Sequence, residues 1–166
     1  MLSNTPLLPI VIVDDEASAL KSFELALNSH GWNHVICIQD SREVLPLLEK
    51  QKVEMLILDL TMPHVSGTEI LKLMSESHPE IPVIVATGLN DVKIAVECMK
   101  LGAVDYLLKP VERSRLGASV THVVEMRELK RQNHQLKQQL LMGAALEHPE
   151  AFDAITTRNP RMCAIF

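Results

Sequence analysis

Aromatic side chains are scarce in this 166-residue chain: they make up 3% of it, whereas hydrophobic residues as a whole make up 47%. The core must therefore be aliphatic. Basic residues are also few, since 16 Lys and Arg stand against 21 Asp and Glu and the net charge is -5. Neutralising the phosphates of a nucleic acid needs clustered Lys and Arg, so we expect no direct nucleic acid contact by this chain.

Paired cysteines, long apolar runs and a leader are missing as well. The three cysteines, Cys37, Cys98 and Cys163, are scattered and form no CxxC pair, which is typical of reduced thiols. No apolar run approaches the ~18 residues that a membrane span needs. The start, from Met1 to Pro9, has neither the basic segment nor the apolar stretch of a signal peptide. We therefore expect a cytoplasmic protein without a membrane partner.

What the chain does contain is a repeated alternation of strand-like and helix-like segments. The predicted strands are 9–14, 34–38, 54–59, 82–86 and 103–108; the predicted helices are 16–29, 41–50, 68–77, 91–100 and a long one from about 111 to about 142. This alternation predicts an α/β fold, a doubly wound parallel sheet with helices on both faces. Ser41 is the predicted N-cap of the second helix, and Pro46 indicates that this helix starts late or kinks.

Residues suited to one chemistry stand at the carboxyl ends of four predicted strands. Asp14 and Asp15 follow the first strand, Asp59 ends the third, Thr87 follows the fourth and Lys109 the fifth. Open α/β sheets bind ligands at this edge. A carboxylate can be a nucleophile, a divalent cation takes oxygen ligands, and lysine and threonine add a charge and a hydroxyl. The set predicts phosphoryl transfer, although either acid of the first pair could by itself merely cap a helix.

These positions resemble the receiver domain of two-component response regulators. The resemblance covers residues 8 to about 122, and its matching segments are Asp14-Asp15, Leu58 to Pro63 with Gly67, Ala86-Thr87-Gly88, and Tyr106 to Pro110. It implies a flavodoxin-like five-stranded sheet with strand order 2-1-3-4-5.

The resemblance also implies a chemical role for the acidic residues. Asp59 would accept a phosphoryl group from a sensor histidine kinase. The cofactor would be Mg²⁺, and its protein ligands would be Asp14, Asp15, Asp59 and the backbone carbonyl of Thr61.

Three further residues would respond to the phosphoryl group. Thr87 would move its hydroxyl toward it, Tyr106 would turn inward as Thr87 moves, and Lys109 would bind it by charge. The bond from Lys109 to Pro110 is a candidate cis peptide. Tyr106 could instead be an ordinary half-buried strand aromatic.

The long helix has two surfaces through which phosphorylation of the domain could be coupled to dimerisation. Its first part carries an apolar face, and its second part carries a heptad seam with Met126, Asn133 and Leu140 at the a positions and Leu129 and Leu136 at the d positions. We expect a homodimer through this coiled-coil helix and through the face made by helix 91–100, strand 103–108 and the long helix. The alternative is a solvated helix that continues alone.

We expect three parts. The resemblance implies a receiver domain over 1–122, the heptad seam and the change in composition after Met142 predict a coiled-coil linker and hinge over 123–149, and a second resemblance implies the start of a truncated output domain over 150–166. The last part is similar to the segment that opens the AAA+ domain of sigma-54-dependent activators, at Phe152, Ile155, Met162 and the final apolar pair Ile165-Phe166. The chain would then be the N-terminal part of such an activator.

Catalysis of other kinds is not expected. The motif GxxxxGK[ST] is absent, so this chain is not predicted to be an ATPase, and its only reactions would be phosphorylation and dephosphorylation of Asp59. A phosphoaspartyl enzyme of the haloacid dehalogenase type typically has a second acid where this chain has Thr61. A stand-alone receiver, or one that drives a different output domain, remains the alternative.

Overall fold

The computed structural model describes residues 7–147, with side chains as far as residue 142. Strands and helices alternate in this order: β1 (Ile10–Val13), α1 (Ala17–Ser29), β2 (Val35–Ile38), α2 (Val44–Lys50), β3 (Met55–Leu58), α3 (Gly67–Ser77), β4 (Val83–Thr87), α4 (Val92–Lys100), β5 (Asp105–Leu108) and α5 (Arg113–Glu147). No helix in this part of the chain is long and apolar enough to cross a membrane.

The five strands form one parallel sheet in the order β2-β1-β3-β4-β5, which confirms the predicted fold. Strand β1 is fully buried because helices cover both faces of the sheet. Ile10 and Ile12 pack in a core with α1 and α5, whereas Val11 and Val13 pack in a second core with α2, α3 and α4. The alternation of side chains along the strand thus supplies both apolar layers.

The start of α2 differs from its prediction. A 3-10 helix over Ser41–Glu43 precedes α2, which places Pro46 in the first turn, where proline is tolerated. The predicted cap was wrong: the Asp40 side chain accepts from the Arg42 N–H at 3.0 Å. Ser41 is buried, and its hydroxyl bonds elsewhere.

Helix α5 carries the predicted apolar face on its first part. The buried residues there are Leu116, Val120, Val123 and Val124, all in the core with α1. The helix continues to Glu147, so the hinge predicted over 143–149 is helical as far as that residue. The segment Ala144 to Glu147 consists of good helix formers, which outweigh the single Gly143. The predicted output segment, 150–166, lies outside the described residues.

The chain divides into two units, residues 1–125 and 126–166. In the second unit the described residues are all helical. The leucines of the predicted seam are exposed there: 64% for Leu129, 59% for Leu136 and 73% for Leu140.

In the first unit, α1 and α5 meet closely at the ring of His30. A Cβ atom added to Gly117 of α5 would lie 2.3 Å from His30 Nε2, so only glycine fits there without a shift of the ring. The ring of His30 stacks on Trp32 with centroids 5.5 Å apart, and its Nδ1 lies 2.9 Å from the carbonyl oxygen of Ala26.

Candidate functional site

Parallel pairing brings the acidic residues of β1 and β3 to one edge. Val13 and Leu58 are register partners, so the residues that follow them, Asp14 and Asp59, leave the sheet side by side. The Asp59 N–H donates to the Val13 carbonyl at 3.0 Å, which extends the ladder by one bond. Both side chains are buried, with exposures of 1% for Asp14 and 6% for Asp59.

Three carboxylates form a cluster at this edge. One oxygen from each of Asp14, Asp15 and Asp59 lies within 4.8 Å of the others. Mg²⁺ holds oxygen ligands at about 2.1 Å in an octahedron, which puts neighbouring oxygens about 3 Å and opposite ones about 4 Å apart. The cluster therefore offers the ligand type of a hard divalent cation, and its 4.8 Å limit exceeds the span of such an octahedron by less than about 1 Å. Thr61, in the loop after Asp59, is exposed; its predicted carbonyl contact to the metal stays a prediction.

A lysine reaches into the acidic cluster from the last strand. Lys109 Nζ lies 2.5 Å from Asp14 Oδ2 and 3.6 Å from Asp59 Oδ2. Its side chain is mostly buried, so the two contacts are weakly screened. Asp59 Oδ1 accepts a 2.8 Å hydrogen bond from the Leu60 N–H. The two oxygens of Asp59 thus have different surroundings, an amide on one and an ammonium on the other.

Thr87 ends β4 beside the lysine. Its side chain is fully buried, and its carbonyl accepts from the Lys109 N–H at 2.8 Å, so pairing of the two strands places them together. The Thr87 hydroxyl accepts a long hydrogen bond, 3.4 Å, from the Leu89 N–H. The peptide bond from Lys109 to Pro110 is cis, as predicted.

Tyr106, like Thr87, forms a hydrogen bond with the backbone of Leu89. Its hydroxyl donates to the Leu89 carbonyl at 2.6 Å. Burial raises the pKa of the Tyr106 phenol, and the thiolate form of Cys98 and the negative charges of Asp91 and Asp59 raise it further because they disfavour a phenolate. The phenol is therefore neutral and able to donate this bond at physiological pH.

The loop from Asp59 to α3 is held against the strand end. A Cβ atom added to Gly67 would lie 2.0 Å from the Asp59 carbonyl oxygen and 2.6 Å from Leu60 Cα. The Gly67 N–H donates to the Leu60 carbonyl at 3.0 Å. Gly67 is thus required by a close approach of two backbones and not by its own turn geometry.

Helix α3 begins with a complete capping box. The Ser66 hydroxyl accepts from the Glu69 N–H at 3.3 Å, and Glu69 Oε2 accepts from the Ser66 N–H at 2.8 Å. The bonds from Ser66 lower the pKa of the Glu69 carboxyl. The box fixes where α3 starts, and with it the length of the loop that begins at Asp59.

The profile of the response regulator receiver domain family matches residues 10–121, more than half of the chain. The chain belongs to this family. This receiver is 36% identical over 119 residues to the transcriptional regulatory protein FixJ of Bradyrhizobium diazoefficiens, with 72% of this chain and 58% of FixJ covered. It is 29% identical over 156 residues to the regulatory protein AtoC of Escherichia coli, with 94% of this chain and 32% of AtoC covered.

A solved structure adds a comparison of the fold. The solution structure of the beryllofluoride-activated NtrC4 receiver domain dimer is 29% identical to this receiver, with a TM-score of 0.67 over 72% of this chain and 98% of that one. This chain thus spans about three fifths of FixJ, a third of AtoC and nearly the whole NtrC4 receiver domain.

Sequence reasoning missed two contributors to the site. Ser41 was assigned to a helix cap, although its hydroxyl bonds the loop after Asp59. Gln39 was not singled out, although its side-chain amide donates to the Asp15 carbonyl at 2.9 Å. Neither residue type signals such a bond in sequence, because both bonds join segments that are remote along the chain.

Proposed function

We propose that this receiver takes a phosphoryl group onto Asp59 from a sensor histidine kinase and so controls a dimeric transcriptional activator. The observation that carries the proposal is the arrangement around Asp59: a buried carboxylate beside two other acids, with Lys109 Nζ 3.6 Å from its Oδ2. This combination is suited to bringing an anionic phosphoryl group to an anionic nucleophile, because the cations offset the repulsion.

Asp59 Oδ2 is the better placed nucleophile. Oδ1 is held by the Leu60 N–H, whereas Oδ2 faces Lys109. In the transfer, a bond forms from Oδ2 to phosphorus and the bond from phosphorus to the kinase histidine nitrogen breaks, leaving the electron pair on that nitrogen. Mg²⁺ bound by Asp14, Asp15, Asp59 and the Thr61 carbonyl would neutralise the acids and the phosphoryl oxygens.

Thr87 and Tyr106 are the residues that we propose couple phosphorylation of Asp59 to the loop before α4. Both bond to the backbone of Leu89, one to its N–H and the other to its carbonyl. A phosphoryl group that attracts the Thr87 hydroxyl would break its long bond to Leu89 and favour a new arrangement of the loop before α4. The phosphoryl group thus biases a two-state equilibrium through contacts that exist in one state only.

Two surfaces support dimerisation. Exposed apolar side chains lie on and beside α4 and β5; they are Leu89, Val92, Val96, Met99 and Leu108, between 38% and 79% exposed. Several exposed apolar side chains on neighbouring elements are typical of interaction sites. The second surface is the exposed leucine seam of α5, with Asn133 at an a position. The beryllofluoride-activated receiver domain of NtrC4 is a dimer, which supports dimerisation of this receiver as well.

The output is proposed from the resemblance and from the length of the relatives. This chain covers only about a third of AtoC, which leaves room in such a regulator for further domains. The similarity of residues 150–166 to the opening of the AAA+ domain of sigma-54-dependent activators favours that kind of output over a stand-alone receiver.

Phosphorylation of the full chain by acetyl phosphate tests the central proposal. With MgCl₂ present, we expect one phosphoryl group per chain, and reductive trapping with borohydride followed by peptide mass spectrometry should place it on Asp59. Chelation of the metal with EDTA should prevent the reaction. A modification on any other residue, or none in the presence of Mg²⁺, would contradict the proposal.

A charge in the leucine seam is expected to dissociate the dimer. Leu136→Glu puts a carboxylate at a d position, where two copies would face each other in an apolar seam, and we expect at least a tenfold weaker dimer in light scattering over a concentration series. Leu141→Glu is the matched control, since Leu141 is equally exposed, at 61%, but lies outside the a and d positions. Equal dimerisation of both variants would exclude the seam as the interface.

A further inference from the structure

We propose that residues 39–41, which run from the end of β2 into the first residue of the 3-10 helix, position the backbone of the proposed metal site from outside it. This inference rests on the proposed function. The positioning residues are Ser41 and Gln39, which bond to loop backbone atoms and not to the clustered carboxylates.

Ser41 holds the loop that carries Thr61. Its side chain is buried, with 4% of the residue exposed, and its hydroxyl donates to the Pro63 carbonyl at 2.9 Å while accepting from the Val65 N–H at 3.1 Å. These two bonds lie on either side of His64, whose φ of 70° is in the left-handed region that residues other than glycine rarely adopt. One buried hydroxyl thus fixes the loop on both sides of its strained residue.

Gln39 holds the loop that carries Asp15. Its amide Nε2 donates to the Asp15 carbonyl at 2.9 Å. Asp40, between the two positioning residues, is itself fixed, because its carboxylate accepts from the Arg42 N–H at 3.0 Å and from Arg42 Nη2 at 2.6 Å. Residues 39–41 therefore form hydrogen bonds with both loops that would supply ligands to the ion, the loop with Asp15 and the loop with Thr61.

Backbone positioning matters here because Mg²⁺ demands a near-ideal octahedron. A side-chain ligand can adjust by rotation, but a carbonyl such as that of Thr61 moves only with its loop. Groups outside the ligand set that orient the ligands typically change metal affinity by 10–100-fold when they are removed. The same loss is expected when the bonds from Ser41 to this loop are removed.

The test compares two buried serines. Ser41→Ala removes both loop bonds. Ser119→Ala removes a buried hydroxyl that donates to Asp105 Oδ2 at 2.7 Å, at the amino end of β5 and so at the other end of the strands from the acidic cluster. Mg²⁺ alone is titrated into each variant of the 166-residue chain by calorimetry. We expect Ser41→Ala to weaken Mg²⁺ binding about tenfold and Ser119→Ala by less than about twofold. Amide exchange at Val65 should accelerate in Ser41→Ala only, and Ser41→Thr should restore most of the affinity.

A second variant removes the hydrogen bond from Gln39 to the Asp15 carbonyl without disturbing the core. Gln39 is exposed, so Gln39→Ala should fold normally and bind Mg²⁺ about threefold more weakly than the wild type. If Ser41→Ala and Gln39→Ala bind Mg²⁺ as the Ser119→Ala control does, the positioning role is overturned, while phosphorylation of wild-type Asp59 would leave the proposed function standing. If the wild type itself binds no Mg²⁺ and accepts no phosphoryl group, both fail.

Discussion

Asp59→Asn is expected to abolish phosphorylation by acetyl phosphate, together with the change in molecular size that we expect beryllofluoride with Mg²⁺ to cause in the wild type. The amide preserves the shape of the side chain and can still accept from the Leu60 N–H through its oxygen. It has no anionic oxygen to attack phosphorus or to bind beryllium. The measurement is mass spectrometry of the intact chain together with light scattering, both with and without Mg²⁺.

The variant should remain folded, which separates loss of chemistry from loss of structure. Asp59 is one of three acids within 4.8 Å, and removing one charge relieves repulsion when no divalent cation is bound. We therefore expect thermal unfolding without Mg²⁺ to occur at the wild-type temperature or above it. The control is Glu80→Gln, the same acid-to-amide change at an exposed side chain outside the cluster. A size response that persists in Asp59→Asn would overturn the assignment of the phosphoacceptor.

Gly67→Ala is expected to cause the largest loss of stability of any single-methyl change near the site. The new Cβ would lie 2.0 Å from the Asp59 carbonyl oxygen and 2.6 Å from Leu60 Cα, and both atoms are backbone that cannot rotate away. Either α3 or the end of β3 must move. We expect a loss of about 3 kcal/mol or more in the free energy of unfolding, at the upper end of what overpacking costs.

The same displacement should weaken phosphorylation, because it moves the backbone of Asp59, the proposed phosphoacceptor. Gly88→Ala is the matched control: a Cβ there meets no atom within 4 Å, and the expected change in stability is within about 0.5 kcal/mol. Urea unfolding of the two variants measures the difference. Similar stabilities would show that the loop adapts and that the close approach to Asp59 is not required.

The acids, hydroxyl and lysine of the site were predictable because each stands at a strand end, and strand ends of a parallel sheet share an edge. The alternation of elements predicted the parallel sheet, but the strand order needed the family resemblance, since local patterns do not say which strands are neighbours. The position of the Tyr106 hydroxyl on Leu89 could not be predicted, because it is set by a contact 17 residues away.

Residues that act through backbone bonds were the hardest to predict. A serine before a helix reads as a cap, and only the folded chain reveals that the adjacent Asp40 caps instead and leaves the Ser41 hydroxyl to the loop after Asp59. Gly67 reads as a turn residue because glycine is common in turns. Its actual constraint is the distance between a helix start and a strand end, which no local sequence window contains.

Trp32, which stacks on His30, provides an intrinsic fluorescence signal. Trp32 is the single tryptophan of the sequence, so selectively excited emission comes from one position. It is buried, with 6% exposure, and precedes β2, so it lies at the amino ends of the strands, whereas the acidic cluster lies at their carboxyl ends. Its emission should therefore follow the packing of α1 against α5 during unfolding and stay constant on addition of Mg²⁺. A spectroscopist could thus follow unfolding through one intrinsic residue, without attaching a label and without interference from added Mg²⁺.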